Sequence, residues 1–143
     1  MKKIFGLILL FILSGCANTM KPTDFKDQKP RLIIEDYLSG NVKAWGVLQN
    51  RSGKVTRQWI INKIDDHNYE GTAGDVVGTA KGYSYGPAFK FEYVLLVPVK
   101  GKNIKITFDD WIFMQDERVA INRATMTKFG IKVAELTVMF VKD

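Results

Sequence analysis

From Leu32 onward the sequence predicts an all-β domain of antiparallel strands in up-and-down order, closed or nearly closed into a barrel. Three observations predict it. Val, Ile, Tyr, Phe, Trp and Thr gather in short runs, as they do in strands. Clusters of Gly, Asn, Asp, Ser and Pro separate those runs. The separating links hold only a few residues, and links that short join antiparallel neighbours. Closure removes the exposed edges that a lone sheet presents, which favours a barrel; a two-sheet sandwich is the main alternative.

Taken in chain order, residues 1–15 read as a signal peptide, with Lys2 and Lys3 ahead of the apolar run Ile4 to Leu13. That run is far short of the roughly 20 residues that span a bilayer. It is expected to be helical if retained. Leu13-Ser14-Gly15-Cys16 resembles the lipobox of bacterial lipoproteins, which implies cleavage before Cys16 and acylation of that residue. Ala17 stands where an Asp would usually signal inner-membrane retention, so the resemblance implies an outer-membrane anchor facing the periplasm. Residues 16–31 carry Pro22 and Pro30 with no apolar period, and read as a flexible tether. Residues 32–143 form the single domain.

The expected strands run over Leu32 to Leu38, Val42 to Leu48, Val55 to Ile64, Tyr69 to Ala73, Val76 to Ser84, Ala88 to Val99, Ile104 to Met114, Val119 to Thr127 and Ile131 to Val141. Between them lie turns such as Ser39-Gly40-Asn41, Asn50 to Gly53, Asp65 to Asn68, Lys100 to Asn103, Gln115 to Arg118 and Phe129-Gly130. Gly71, Gly74, Gly78, Gly82 and Gly86 fall in a β context with no following helix. They fit tight coiling or bulges better than a phosphate-binding loop.

The last four strands can be registered on one another. With Lys100 to Asn103 and Gln115 to Arg118 as loops, Phe89, Phe91, Tyr93, Leu95, Val97, Ile104, Ile106, Phe108, Ile112, Met114, Val119 and Ile121 share one face. Ala134, Leu136, Val138 and Phe140 continue it, making this the inner face. Asp110 and Arg123 then fall inside, opposite each other, with Tyr93 across from Asp110. Buried charge persists only when paired, so this trio is either a structural pair that fixes register or a polar anchor for the head group of an amphipathic ligand. Arg123 suits a carboxylate or phosphate, because its planar fork binds them bidentately. On the outer face Trp111, Phe113, Val94 and Leu96 form an apolar patch, best explained by packing under the tether. Asp109 with Trp111 and Asn122 forms a second, outward polar cluster.

Composition limits the function. Without Lys2 and Lys3 the formal net charge falls from +6 to +4, spread without runs, so nucleic-acid binding is not expected. The one cysteine is taken by the anchor, leaving no disulfide. His67, the one histidine, sits in the turn-like Asp65-Asp66-His67-Asn68 and reads as a solvated loop residue. No catalytic triad, metal-ligand spacing or cofactor motif is present, so catalysis, a metal and a cofactor are not expected.

Several motifs together closely resemble a family of bacterial lipoproteins described as domain of unknown function 3833. They are Ala44-Trp45-Gly46, Asp75-Val76-Val77-Gly78 with Ala80 and Gly82, Asp109-Asp110-Trp111, Asn122-Arg123-Ala124 and Lys128-Phe129-Gly130. The resemblance runs from about Leu32 to Val141. It implies a lipocalin-like, calycin barrel and no established activity, with Asp75, Asp109, Trp111, Asn122 and Lys128 as motif residues. Near residues 53–57 the chain is shorter than the family pattern, which carries a further strand pair before an element resembling Arg57-Gln58-Trp59. Loss of two strands keeps up-and-down parity but leaves the barrel smaller or open on one side.

Two functions fit this reading. One is a membrane-anchored, periplasm-facing binder of a fatty acid, phospholipid or similar amphiphile, with the inner aromatics as cavity wall. The other is a structural or assembly lipoprotein with a packed core that docks an envelope protein.

Overall fold

The computed structural model of the chain describes residues 19–38, 42–47 and 60–142. The strands are β1 Val42–Val47, β2 Ile60–Lys63, β3 Asn68–Thr72, β4 Ala80–Tyr85, β5 Ala88–Val99, β6 Lys102–Met114, β7 Val119–Lys128 and β8 Ile131–Lys142. A short 3-10 helix, Pro22–Phe25, and a single-turn helix, α1 Ile34–Tyr37, precede them. The lipobox with Cys16, the turns at 39–41 and 50–53, and the first part of the strand expected from Val55 all lie outside the described residues.

All eight strands join one sheet in the order β1-β8-β7-β6-β5-β4-β3-β2. Its ladders are antiparallel throughout. β2 to β8 follow one another in space as in sequence, and β1 adds beside β8, bringing the first and last strands together as in a barrel. Among the described residues no ladder joins β1 to β2, so these are the two edges. The all-β, up-and-down expectation holds, in an open barrel-like form.

Alternation explains which face is inside. On β5, Phe89, Phe91 and Leu95 are buried, and on β6, Ile106 and Phe108 are buried. Each fully buried side chain of this size contributes about 1.5–3 kcal/mol. Two core clusters result. One joins Tyr69, Ala80, Phe89, Phe91 and Ala120 with Leu32, Ile34 and Tyr37. The other joins Leu95, Ile106, Phe108 and Ala124. Tyr93 packs against both.

Four expectations need correction. The strand expected over Leu32 to Leu38 is instead extended backbone followed by α1, because Ile34 and Tyr37, one turn apart, bury together on the concave face of the sheet. Tertiary burial here overrides a run of good strand formers. The strand expected from Val76 begins only at Ala80. Val76 makes an isolated bridge to Leu95, with the Leu96 N–H donating to the Asp75 carbonyl at 2.9 Å.

The tether is docked over part of its length. Phe25 packs on Trp111 and Phe113, with ring centroids 6.1 and 5.5 Å away, and Trp111 is buried. This is the packing expected for the outer apolar patch. Gly86, with φ of +53°, lets the chain at Phe25 approach, since a Cβ there would overlap the Phe25 carbonyl oxygen.

The fourth correction is the register of β7. The β5–β6 hairpin turns on two residues, Lys100 and Gly101, both at positive φ, so Val99 pairs with Lys102 rather than Ile104. A shift of two leaves faces unchanged. The β6–β7 loop holds five residues, because Met114 pairs with Ala120. Asp116 shapes it, accepting hydrogen bonds from the Arg118 and Val119 N–H groups at 2.8 Å each. One extra residue flips every β7 side chain: Ala120, Asn122 and Ala124 are buried, and Ile121 and Arg123 face out. A bulge between Met126 and Thr127 flips the pattern back, so Leu136, Val138 and Phe140 lie on the inner side as expected.

Candidate functional site

The concave face holds a polar network in an apolar setting. Tyr93 and Asp110 come together as expected, the Tyr93 hydroxyl donating to Asp110 Oδ2 at 2.9 Å although the two are diagonal rather than opposite. The third member is Asn122, whose amide donates to Asp110 Oδ1 and to the Trp111 carbonyl, the latter at 3.1 Å. Burial pushes the Asp110 carboxyl up from its ordinary value, against the lowering effect of those two donors; the neighbouring Asp109 adds to the rise.

Arg123 is not part of this network. It pairs with Thr137 and Trp111 across the ladders, its side chain is 59 % exposed, and its guanidinium donates to Glu135 at 3.2 Å. The expected Asp110–Arg123 pair is therefore replaced by Asp110–Asn122. The outward cluster expected of Asp109, Trp111 and Asn122 loses Asn122 to the interior. Asp109 lies instead 3.6 Å from Lys90, whose ammonium also sits 5.5 Å above the Trp111 ring. Lys128 stands over the Phe129 ring at 5.2 Å.

Among the described residues the inner aromatics along β5 form a continuous ladder of ring contacts. They pack on one another: Tyr69 on Phe89 at 5.5 Å, Phe89 on Phe91 at 5.6 Å, Phe91 on Tyr93 at 5.5 Å and Tyr93 stacked on Phe108 at 5.0 Å. Gly82 makes room for them, since a Cβ there would lie 2.9 Å from the Phe89 ring. A hollow lies at the rim, where α1 meets β2 and β3. It has a volume of about 260 Å³ and is lined by Ile34, Glu35, Leu38, Ile61, Lys63 and Tyr69.

The hollow's walls are mainly apolar and its mouth is charged. Lys63 Nζ lies 3.2 Å from Glu35, and the Tyr69 hydroxyl donates to Glu35 Oε2 at 3.0 Å. Burial and the Glu35 bond push the Tyr69 hydroxyl up. Glu35, partly desolvated, is still held below its ordinary value by its backbone, Tyr69 and Lys63, and Lys63 is raised chiefly by Glu35.

Glu35, Lys63 and Tyr69 are not legible as a site in the sequence, because Leu32 to Leu38 reads there as a strand while the chain forms α1 over Ile34–Tyr37. The signal available was the Ile34–Tyr37 spacing after Pro30, with acidic Glu35 and Asp36 in the first turn. His67 stacks on Tyr85 at 4.2 Å and its Nδ1 lies 2.8 Å from the Ser84 carbonyl, with Asp65 capping the turn.

Fold and site together define an all-β scaffold built on one open sheet, with an apolar rim hollow and a separate buried carboxylate network. The chain belongs to the family described as "Protein of unknown function (DUF3833)", whose model matches residues 10–59 and 54–142. The two matched segments overlap at 54–59, beside the place where the sequence reads as shortened. No curated protein and no solved structure matches the chain.

Proposed function

We propose that this is an outer-membrane lipoprotein, anchored through acylated Cys16 and facing the periplasm, that holds part of an amphiphile without chemical turnover. The observation that carries the reading is the rim hollow: apolar walls from Ile34, Leu38 and Ile61 beneath the paired charges of Lys63 and Glu35. A hydrocarbon segment gains from desolvation there. A head group bearing both charges, as in a zwitterionic phospholipid, matches Lys63 and Glu35 together, whereas a fatty acid would have to displace Glu35 from Lys63. Asp110 offers no cation to an acid. The hollow lies beside an edge strand, on the side where the sheet is open.

Native mass spectrometry of protein taken from membranes is the test. It should reveal a bound lipid, and Ile61→Trp, which fills the hollow, should remove that mass while leaving the far-UV circular dichroism unchanged. A protein free of lipid, or a lipid indifferent to Ile61→Trp, defeats the proposal. The self-packed aromatics from Tyr69 to Phe108 favour a second reading, a lipoprotein with a filled core that docks an envelope protein; in that case crosslinking in intact cells finds a partner and no lipid co-purifies.

A further inference from the structure

Opposite the end covered by α1, two hairpins carry apolar side chains into solvent. The β7–β8 turn is formed by Phe129 and Gly130 at φ of +51° and +77°. Such turns favour Asn, Asp or Gly, and a bulky aromatic at positive φ is strained. Phe129 is nonetheless 92 % exposed, and its one described ring contact is the Lys128 ammonium. Ile131 and Val133 beside it are 70 % and 53 % exposed, and Val99 and Leu96 on the β5–β6 hairpin are also exposed. The chain thus carries a strained backbone and an unshielded ring at one exposed turn, with no gain inside the fold to offset them.

The surrounding charge is mainly positive. Lys100, Lys102 and Lys105 on the β5–β6 hairpin and Lys128 and Lys132 on the β7–β8 hairpin share this end of the sheet, against Asp75 and Glu135. Glu135 is already engaged by Lys132 at 2.5 Å and by Arg123. Lys100, Lys102 and Lys105 have no acidic partner among the described residues. An exposed aromatic flanked by exposed aliphatics, at an end of the sheet that carries lysines on two neighbouring hairpins, matches a bilayer interface, where rings settle at head-group depth and lysines meet anionic lipid. A protein-docking surface would instead deplete lysine around its apolar centre.

We propose that the β7–β8 tip inserts into an anionic bilayer, giving the domain a second membrane contact besides its N-terminal anchor. Phe129 enters between the head groups, Ile131 and Val133 follow, and Lys100, Lys102, Lys105 and Lys128 bind lipid phosphates. The domain would then lie along the membrane rather than swing from its tether. This holds whether or not the rim hollow binds a lipid.

The experiment places 4-fluorophenylalanine at position 129 of the full chain, mixed with vesicles of phosphatidylethanolamine and phosphatidylglycerol. On the vesicles the fluorine NMR signal should be broadened by an acyl-chain spin label and protected from a water-soluble paramagnetic ion. The Lys100→Glu, Lys105→Glu and Lys128→Glu changes should each lower the inserted fraction, by roughly fivefold. A fluorine that stays open to the aqueous quencher on vesicles overturns the proposal. So does shielding that arises without lipid as protein concentration rises, which would reveal a second copy, or shielding that requires added envelope protein. Insertion indifferent to all three lysine changes would overturn it as well.

Discussion

At the end of the sheet marked by Gly86 and Arg118, the concave face is covered by the chain's own residues 32–37. At the end marked by Gly101 and Gly130, Phe129, Ile131 and Val133 reach solvent. Both ends are built from strands with the same alternation of apolar and polar residues. The covered end has Leu32, Ile34 and Tyr37 sealed against Tyr69, Phe89 and Ala120, with the Tyr37 hydroxyl donating to the Arg118 and Phe140 carbonyls at 2.9 and 3.1 Å. The Lys142 ammonium reaches the Asp36 carbonyl at 2.5 Å, and the Leu32 N–H reaches the Gly86 carbonyl at 2.8 Å. The difference shows that alternation places a side chain on a face, while a neighbouring segment decides whether that face is core or contact surface.

The largest expected effect lies at the covered end. Phe89→Ala should cost about 3–5 kcal/mol in urea unfolding, because it removes a ring that is 1 % exposed and leaves a cavity among aromatics. A cost below that of an ordinary surface change would mean that the covered end is not the core.

Tyr37→Phe should cost about 1–3 kcal/mol, since it leaves two carbonyls without the donor that bridges the β6–β7 loop to β8. Circular dichroism should remain that of the folded sheet, and a neutral result would show that α1 is held by its apolar side alone.

The next effect is one of pH. Asp110 has a folded value raised above its ordinary 3.8 by burial, so between those two values the folded chain holds a proton that the unfolded chain has lost. Stability therefore falls as pH rises from just below 4 through the raised value. Asp110→Asn should flatten that stretch of the melting-temperature profile. An unchanged slope would mean that Asp110 is solvated in the folded state.

The smallest effects lie on the exposed side. Phe129→Ala should change stability by no more than about 0.5 kcal/mol, since its ring is already in water. Arg123→Ala should cost under about 1 kcal/mol, because its pair with Glu135 is exposed. A cost of several kcal/mol at Arg123 would restore the inward placement that the register denies.

Much of the fold was legible because its information is local. The β5 run Ala88 to Val99 and the two-residue turn Phe129-Gly130 coincide with the elements observed, since alternation and turn chemistry act over a few residues. The site was less legible. Tyr93 beside Asp110 survived an error of two in the β5–β6 register, because an even shift keeps faces. Arg123 did not survive an error of one at the β6–β7 loop, where Asp116 binding two N–H groups sets the length. Leu136, Val138 and Phe140 came out on the right face because the bulge after Met126 cancelled that error.

By itself, then, the sequence determined the all-β class, the up-and-down order, the apolar face of β5 and β6, and the need for cover over Trp111 and Phe113. Only the tertiary structure decided that Leu32 to Tyr37 would give up a strand to close one end, that Asn122 rather than Arg123 would meet Asp110, and that Lys63, Glu35 and Tyr69 would gather at a rim hollow. The physical reason is range. Propensity and alternation are set by neighbours in the chain, whereas these three outcomes depend on how many residues a loop spends and on which distant segment wins the same apolar face.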